Sequence, residues 1–85
     1  MANQQELRQI LVQGAQALVA GRREEARDLL LSYVEQDDKS EEAWLWLSGA
    51  VDDPDDIQVA LENCLAINPD NANALQGVRW LEQNR

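Results

Sequence analysis

Apolar residues recur at spacings of three and four along almost the whole chain, and this period constrains the fold more than any other feature. Such a spacing places side chains on one face of an α-helix. Five stretches of this kind follow one another, separated by polar or turn-forming residues. Ala and Leu dominate the apolar residues and Thr is absent, which favours helices over strands. The sequence therefore predicts an all-α fold of five helices.

Capping residues set the bounds of the predicted helices. Asn3, followed by Glu three residues later, resembles a capping box, and Gly21 is a natural stop. Ser40 caps the third helix, and Pro54 fits the first position of the fourth, which ends before Pro69. The predicted helices cover about 4–20, 23–35, 41–51, 54–68 and 72–84, and the short connections make neighbouring helices antiparallel.

Each predicted helix has an apolar stripe that faces the core. In chain order these stripes are Leu7, Ile10, Leu11, Gly14, Ala17 and Leu18; Ala26, Leu29, Leu30, Tyr33 and Val34; Ala43, Trp44, Leu47, Ala50 and Val51; Ile57, Ala60, Leu61, Cys64 and Leu65; and Ala74, Leu75, Val78 and Leu81.

The charge of the chain is strongly acidic and uneven. The formal net charge is −9, and residues 35–56 carry nine carboxylates against Lys39 alone. An acidic surface repels phosphate, so we expect neither nucleic acid nor an anionic membrane as a partner. A basic partner fits this charge, although acidic turns also serve to keep a small domain in solution.

The number of cysteines and the length of the apolar runs indicate the cellular compartment that we expect for this chain. Cys64 is the only cysteine, so no internal disulfide forms, which fits a reducing compartment. The first residues do not resemble a signal peptide, and no apolar run approaches the roughly 20 residues that a membrane span needs. We therefore expect a cytoplasmic location.

The third and fourth helices contain a recognisable pattern. Trp44 opens one helix, Leu47 and Ser48 follow at fixed spacing, and the next helix closes with Pro69-Asp70-Asn71. This pattern resembles the tetratricopeptide repeat. A step of about 34 residues, the period of that repeat, leads from Trp44 back to Ile10. Further matches follow at Gly14, Gly21, Ala26 and Leu30.

The resemblance implies a right-handed α-α superhelix of about two and a half helical hairpins. One repeat covers about 7–40, a second about 41–71, and a capping helix about 72–84. The first unit lacks the usual Trp and Pro, and Ile57 stands where Ala is usual. The second unit is about three residues short in the turn Asp52–Asp56, which could alter the angle between helices. Another array of helical hairpins is the alternative.

The residues for catalysis are missing from the sequence. There is no His, and Cys64 lies on an apolar stripe, where a buried thiol is inert packing. The acidic run around Pro54 invites a calcium hypothesis, but it lacks the length and the Gly of a calcium loop, so a capping turn is the preferred interpretation. We expect a non-enzymatic chain with no cofactor and no metal.

Several apolar residues fall outside the core stripes of the first, third and fifth helices, which indicates a second contact surface. In the resembled family the first helices of successive units line a groove that binds peptides or partner helices. The second apolar stripe and the groove positions of the resembled family select overlapping residues. The groove positions that the resemblance implies are Val12, Ala15, Val19, Leu45, Trp46, Gly49, Gly77 and Trp80. Family members that bind a terminal carboxylate use Lys, Arg and Asn on these helices. Leu11, Ala15, Leu45 and Gly49 stand at such positions here, so that binding mode is not supported.

The sequence therefore predicts a protein-interaction module that binds a protein or peptide in this groove. Two alternatives stay open. The Trp rings fill the groove internally, or the same surface forms a structural homodimer without a separate ligand.

Overall fold

The computed structural model describes residues 3–84 and contains, within them, five α-helices and no strand. This confirms the predicted all-α class and the number of helices. The ends lie close to the predicted positions. The helices are α1 (Gln4–Val19), α2 (Arg23–Gln36), α3 (Glu41–Ala50), α4 (Pro54–Ile67) and α5 (Ala72–Asn84).

Side-chain caps begin four of these helices. The side-chain oxygens of Asn3, Ser40, Asp53 and Asn71 accept hydrogen bonds from backbone N–H groups in the first turns of α1, α3, α4 and α5, at 2.8–3.2 Å. Each cap satisfies a donor that has no partner inside its helix and contributes about 1 kcal/mol. Local sequence therefore fixes where these helices start.

Gly21 ends α1 with a positive φ of 84°, in the left-handed region that favours glycine. The N–H of Arg22 donates to the carbonyl of Ala17 at 2.8 Å, and the N–H of Gly21 donates to Leu18 at 3.1 Å. These two bonds form a Schellman motif, which satisfies the last carbonyls of α1 and turns the chain into α2.

α3 lies at the centre of the bundle and packs against α1, α2 and α4, while α5 packs mainly against α4. The bundle measures 38 × 26 × 18 Å. Its arrangement as a right-handed superhelix, and its division into repeats, stay predictions.

The core has two parts. The larger one lies among α1, α2 and α3 around the fully buried Leu30, and the smaller one lies between α4 and α5 around Leu61 and Cys64. Trp44 and Ile57 pack against both parts and join them. The prediction that Cys64 is buried is confirmed.

The predicted inward position of Leu75 is wrong, because its side chain is exposed. α5 instead turns Ala74, Gly77 and Leu81 toward α4, and Leu75 lies beside that face. The other three predicted residues, Ala74, Val78 and Leu81, do pack toward α4, so only Leu75 departs from the predicted stripe.

Candidate functional site

The two sides of α3 both carry large apolar side chains. Residues 44 and 46 lie about 160° apart around a helix with 3.6 residues per turn. Trp44 and Trp46 therefore project to nearly opposite sides of the same short helix, and both are half-buried. A groove lies on each side, and α3 separates the two grooves.

The groove on the Trp46 side has a volume of about 370 Å³ and is called the front groove. α3 supplies most of its surface, with one residue from α1 and one from the start of α5. Its lining residues are Leu18, Leu45, Trp46, Gly49 and Asn73. The surface is shallow and largely apolar, with the polar side chain of Asn73 at its edge.

Trp46 is the largest side chain of the front groove. Part of its ring packs against the core among α1, α2 and α3, and the rest is accessible. Its indole N–H makes no hydrogen bond to any of residues 3–84, and no buried polar side-chain atom in that part of the chain lacks a partner, so this N–H faces solvent. Trp46 thus offers both an apolar face and a free donor to a bound partner.

Gly49 keeps the front groove open, because a side chain there would project toward α1. A Cβ at Gly49 would lie 3.2 Å from Cδ2 of Leu18. The Gly49 carbonyl accepts a hydrogen bond from the Arg23 guanidinium at 3.0 Å, and Arg23 also forms an ion pair with Asp52 at 3.1 Å. The start of α2 therefore holds the end of α3 that forms one wall of the groove.

The predicted residues of α1 lie away from the front groove. Val12 is exposed on a surface of α1 whose other side chains are polar, Ala15 is half-buried, and Val19 is 79% exposed. The residue of α1 that does line the groove is Leu18, which the sequence analysis assigned to the core stripe. A partner role for Val12, Ala15 and Val19 stays a prediction.

The two predicted residues of α5 are placed differently from each other. Gly77 faces α4, where a Cβ would lie 2.9 Å from Leu61, so it belongs to a contact between helices. Trp80 is 56% exposed. It lies seven residues after Asn73, which places it on the same face of α5 and about 10 Å further along the helix. The structure thus brings Leu45, Trp46 and Gly49 together and leaves the other five candidates outside the groove.

The groove on the Trp44 side, called the rear groove, is larger, with a volume of about 420 Å³. Leu31 of α2 and Val59 of α4 lie on its two walls and are 40% and 53% exposed. The full lining is Arg27, Leu31, Val34, Trp44, Leu47, Val51, Asp56, Val59 and Ala60. This surface was not predicted from the sequence, although Leu31 and Val59 are apolar residues outside the stripes of their helices.

Trp44 is fixed in the rear groove more firmly than Trp46 is in the front one. Its indole N–H donates to the carbonyl of Asp38 at 3.0 Å, and its ring packs against both parts of the core. Because it joins the two parts, Trp44 acts as a packing element of the fold.

The acidic run between α3 and α4 is a capping turn. Asp53 accepts the N–H of Asp55 at 2.8 Å, and Asp52 pairs with Arg23. Within residues 3–84, no group of three or more His, Cys, Asp or Glu side chains is placed to hold a metal ion. No helix in the same range is long and apolar enough to cross a membrane.

Two titratable groups in the core have perturbed acidity. Burial raises the pKa of the Cys64 thiol, and the Glu41 carboxylate raises it further. Burial also raises the pKa of the Tyr33 phenol. A hydrogen bond to Ser40 lowers this pKa to a smaller extent, and the nearby Asp37 raises it. The pKa of Cys64 therefore favours the neutral thiol, which is a poor nucleophile.

Comparison of the chain with protein-family models, curated proteins and solved structures gave no match. Function is therefore inferred from the geometry of the two grooves and from the charge around them.

Proposed function

We propose that this chain is a non-catalytic protein-interaction module that binds a peptide or a partner helix in the front groove. The observation that carries the proposal is the position of Trp46, half-buried at the floor of an open apolar groove, with an N–H donor that has no hydrogen-bond partner among residues 3–84. Trp is among the residues most enriched at binding hot spots, because it buries a large rigid surface and adds one hydrogen bond.

The architecture supports the same proposal. We propose that α1–α2 and α3–α4 are two tetratricopeptide-like hairpins, and that α5 is a closing helix. In such a stack the leading helices α1, α3 and α5 border one surface, and these are the helices that line the front groove. The single cysteine and its burial favour action in the cytoplasm.

The test is a selection from a library of displayed peptides of random sequence, each about 12 residues long. Enriched peptides should bind the wild-type chain and lose about tenfold or more in affinity on Trp46→Ala, the loss expected at a hot spot. Val59→Ala, on the rear groove, is the matched control and should leave binding unchanged. Peptides that tolerate Trp46→Ala, or that are lost on Val59→Ala, would contradict the proposal.

Sedimentation of the same variants separates a peptide receptor from a self-associating domain. A receptor stays monomeric as its concentration rises. A mass that doubles with concentration in the wild type, but not in Trp46→Ala, would mean that a second copy occupies the front groove, and the proposed peptide site would be wrong.

A further inference from the structure

The two ends of α3 carry most of the negative charge of the chain. Residues 35–56 contain nine carboxylates and one Lys, a formal charge of −8 out of a total of −9. α3 crosses the bundle between the two halves of this segment. The carboxylates before or at the start of α3 are Glu35, Asp37, Asp38, Glu41 and Glu42, and those after its end are Asp52, Asp53, Asp55 and Asp56.

Some of these carboxylates have partners within the chain but keep their charge. Asp53 accepts a backbone N–H, and Glu41 accepts the side-chain amide of Asn71 at 3.1 Å. A hydrogen bond from a neutral N–H group does not neutralise the carboxylate that accepts it. Each ionised carboxylate can also accept several hydrogen bonds. Asp52 and Asp38 differ from these, because Arg23 forms an ion pair with Asp52 at 3.1 Å and Lys39 forms one with Asp38 at 4.0 Å. The start of α3 therefore stays electronegative at Glu41 and Glu42, whereas Arg23 offsets the charge of Asp52 at its end.

The front groove lies between these two ends. Its floor residue Trp46 is near the middle of α3, which is 10 residues long and therefore about 15 Å in length. Glu42 is exposed and precedes Trp46 by one helical turn, so it lies on the same face of the helix about 6 Å away. At the other end of α3, Asp52 is paired with Arg23, which also donates to the Gly49 carbonyl in the groove wall. Negative charge therefore lies on the Glu42 side of the apolar site.

We propose that the occupant of the front groove is a basic amphipathic segment, with a large apolar side chain on Trp46 and a Lys or Arg residue that faces Glu42. This inference rests on the proposed function and names the chemical class of the partner. Complementary charge steers such a segment to the groove, and the apolar contact determines where it binds. Glu42 and Trp46 are about 6 Å apart along α3. A cation opposite Glu42 would therefore lie about four residues from the apolar side chain in a helical segment, or about two to three residues from it in an extended segment.

The test uses two synthetic peptides of about 15 residues that contain no Trp and share one apolar pattern with a central Leu. One has Lys at its polar positions and the other has Glu. Binding is measured by titration calorimetry. The Lys peptide should bind about tenfold or more tightly than the Glu peptide. Its affinity should fall about tenfold as the salt concentration rises from about 0.05 M to about 0.5 M, because salt screens exposed charges.

Two carboxylate variants separate a local effect from the overall charge. Glu42→Gln and Glu82→Gln each remove one negative charge, but Glu82 lies about 180° around α5 from Asn73. Glu42→Gln should lower the affinity for the Lys peptide about threefold more than Glu82→Gln does. Trp46→Ala should lower the same affinity about tenfold. Equal effects of the two carboxylate variants would overturn the inference.

Failure of the inference can be told from failure of the proposed function. If the Lys and Glu peptides bind equally and both depend on Trp46, the groove binds peptides and only the basic class is wrong. If the Lys peptide binds Trp46→Ala as well as the wild type, or does not bind at all, the inference is overturned. In that case the library selection, which is not biased in charge, decides the function by itself.

Discussion

Trp44 and Trp46 are two residues apart on one helix, yet the fold uses them differently. Trp44 packs against both parts of the core and donates its indole N–H to Asp38. Trp46 packs against one part and forms the floor of an open groove. The comparison teaches that burial alone does not separate a packing residue from a binding residue, because both rings are half-buried. What separates them is whether the remaining polar group and ring surface already have partners.

The largest expected difference is in the stability of the two alanine variants. Trp44→Ala should lower the free energy of unfolding by about 3 kcal/mol, because it removes the contact between the two parts of the core. Trp46→Ala should cost about 1 kcal/mol. Urea denaturation followed by circular dichroism measures both values. Equal costs would mean that Trp46 is as structural as Trp44.

The two glycines predicted for the groove provide the next test. Gly77→Ala should destabilise the fold by about 1–2 kcal/mol, because the new methyl group would meet the buried Leu61 at 2.9 Å. Gly49→Ala should stabilise it by about 0.5 kcal/mol, since Ala favours helix and the half-buried Leu18 side chain can move. Thermal denaturation of the two variants gives the sign of each change. A stabilising Gly77→Ala would place Gly77 on an open surface.

The smallest effect concerns the wall of the front groove near Gly49. Arg23→Gln removes the hydrogen bond to the Gly49 carbonyl and the ion pair with Asp52, and should cost less than about 1 kcal/mol because Arg23 is exposed. Arg8→Gln is the control, since Arg8 forms no ion pair within residues 3–84. The difference between the two variants in urea unfolding should shrink at high salt. A difference that salt does not change would contradict the role of the ion pair.

The sequence predicts the helices well because their ends depend on local chemistry. Asn3, Ser40 and Asn71 cap the helices that they begin, and Gly21 adopts the positive φ that its position requires. These interactions span at most a few residues, so a single sequence contains the information. The stripes around Leu30 and Leu61 likewise predict much of the core.

The site is predicted only in part, because its shape depends on how the helices lie against one another. Leu45, Trp46 and Gly49 are on one helix, and helical spacing alone places them on one surface. Their neighbours Leu18 and Asn73 depend on the angles of α1 and α5 to α3, which periodicity does not determine. Gly77 lies at the close contact of α5 with α4, where a Cβ would come within 2.9 Å of Leu61, and periodicity along α5 does not reveal that contact. The rear groove is not visible in the sequence, because Leu31 of α2 and Val59 of α4 come together only through the packing of their helices.

Nuclear magnetic resonance of the indole N–H groups shows which Trp a bound peptide contacts, because each Trp gives its own signal. The signals are assigned with Trp→Phe variants, and a peptide from the library selection is then added. We expect the Trp46 signal to shift as peptide is added, while the Trp44 signal, whose N–H is bonded to the Asp38 carbonyl, stays in place. A titration in which Trp44 shifts and Trp46 does not would contradict this expectation.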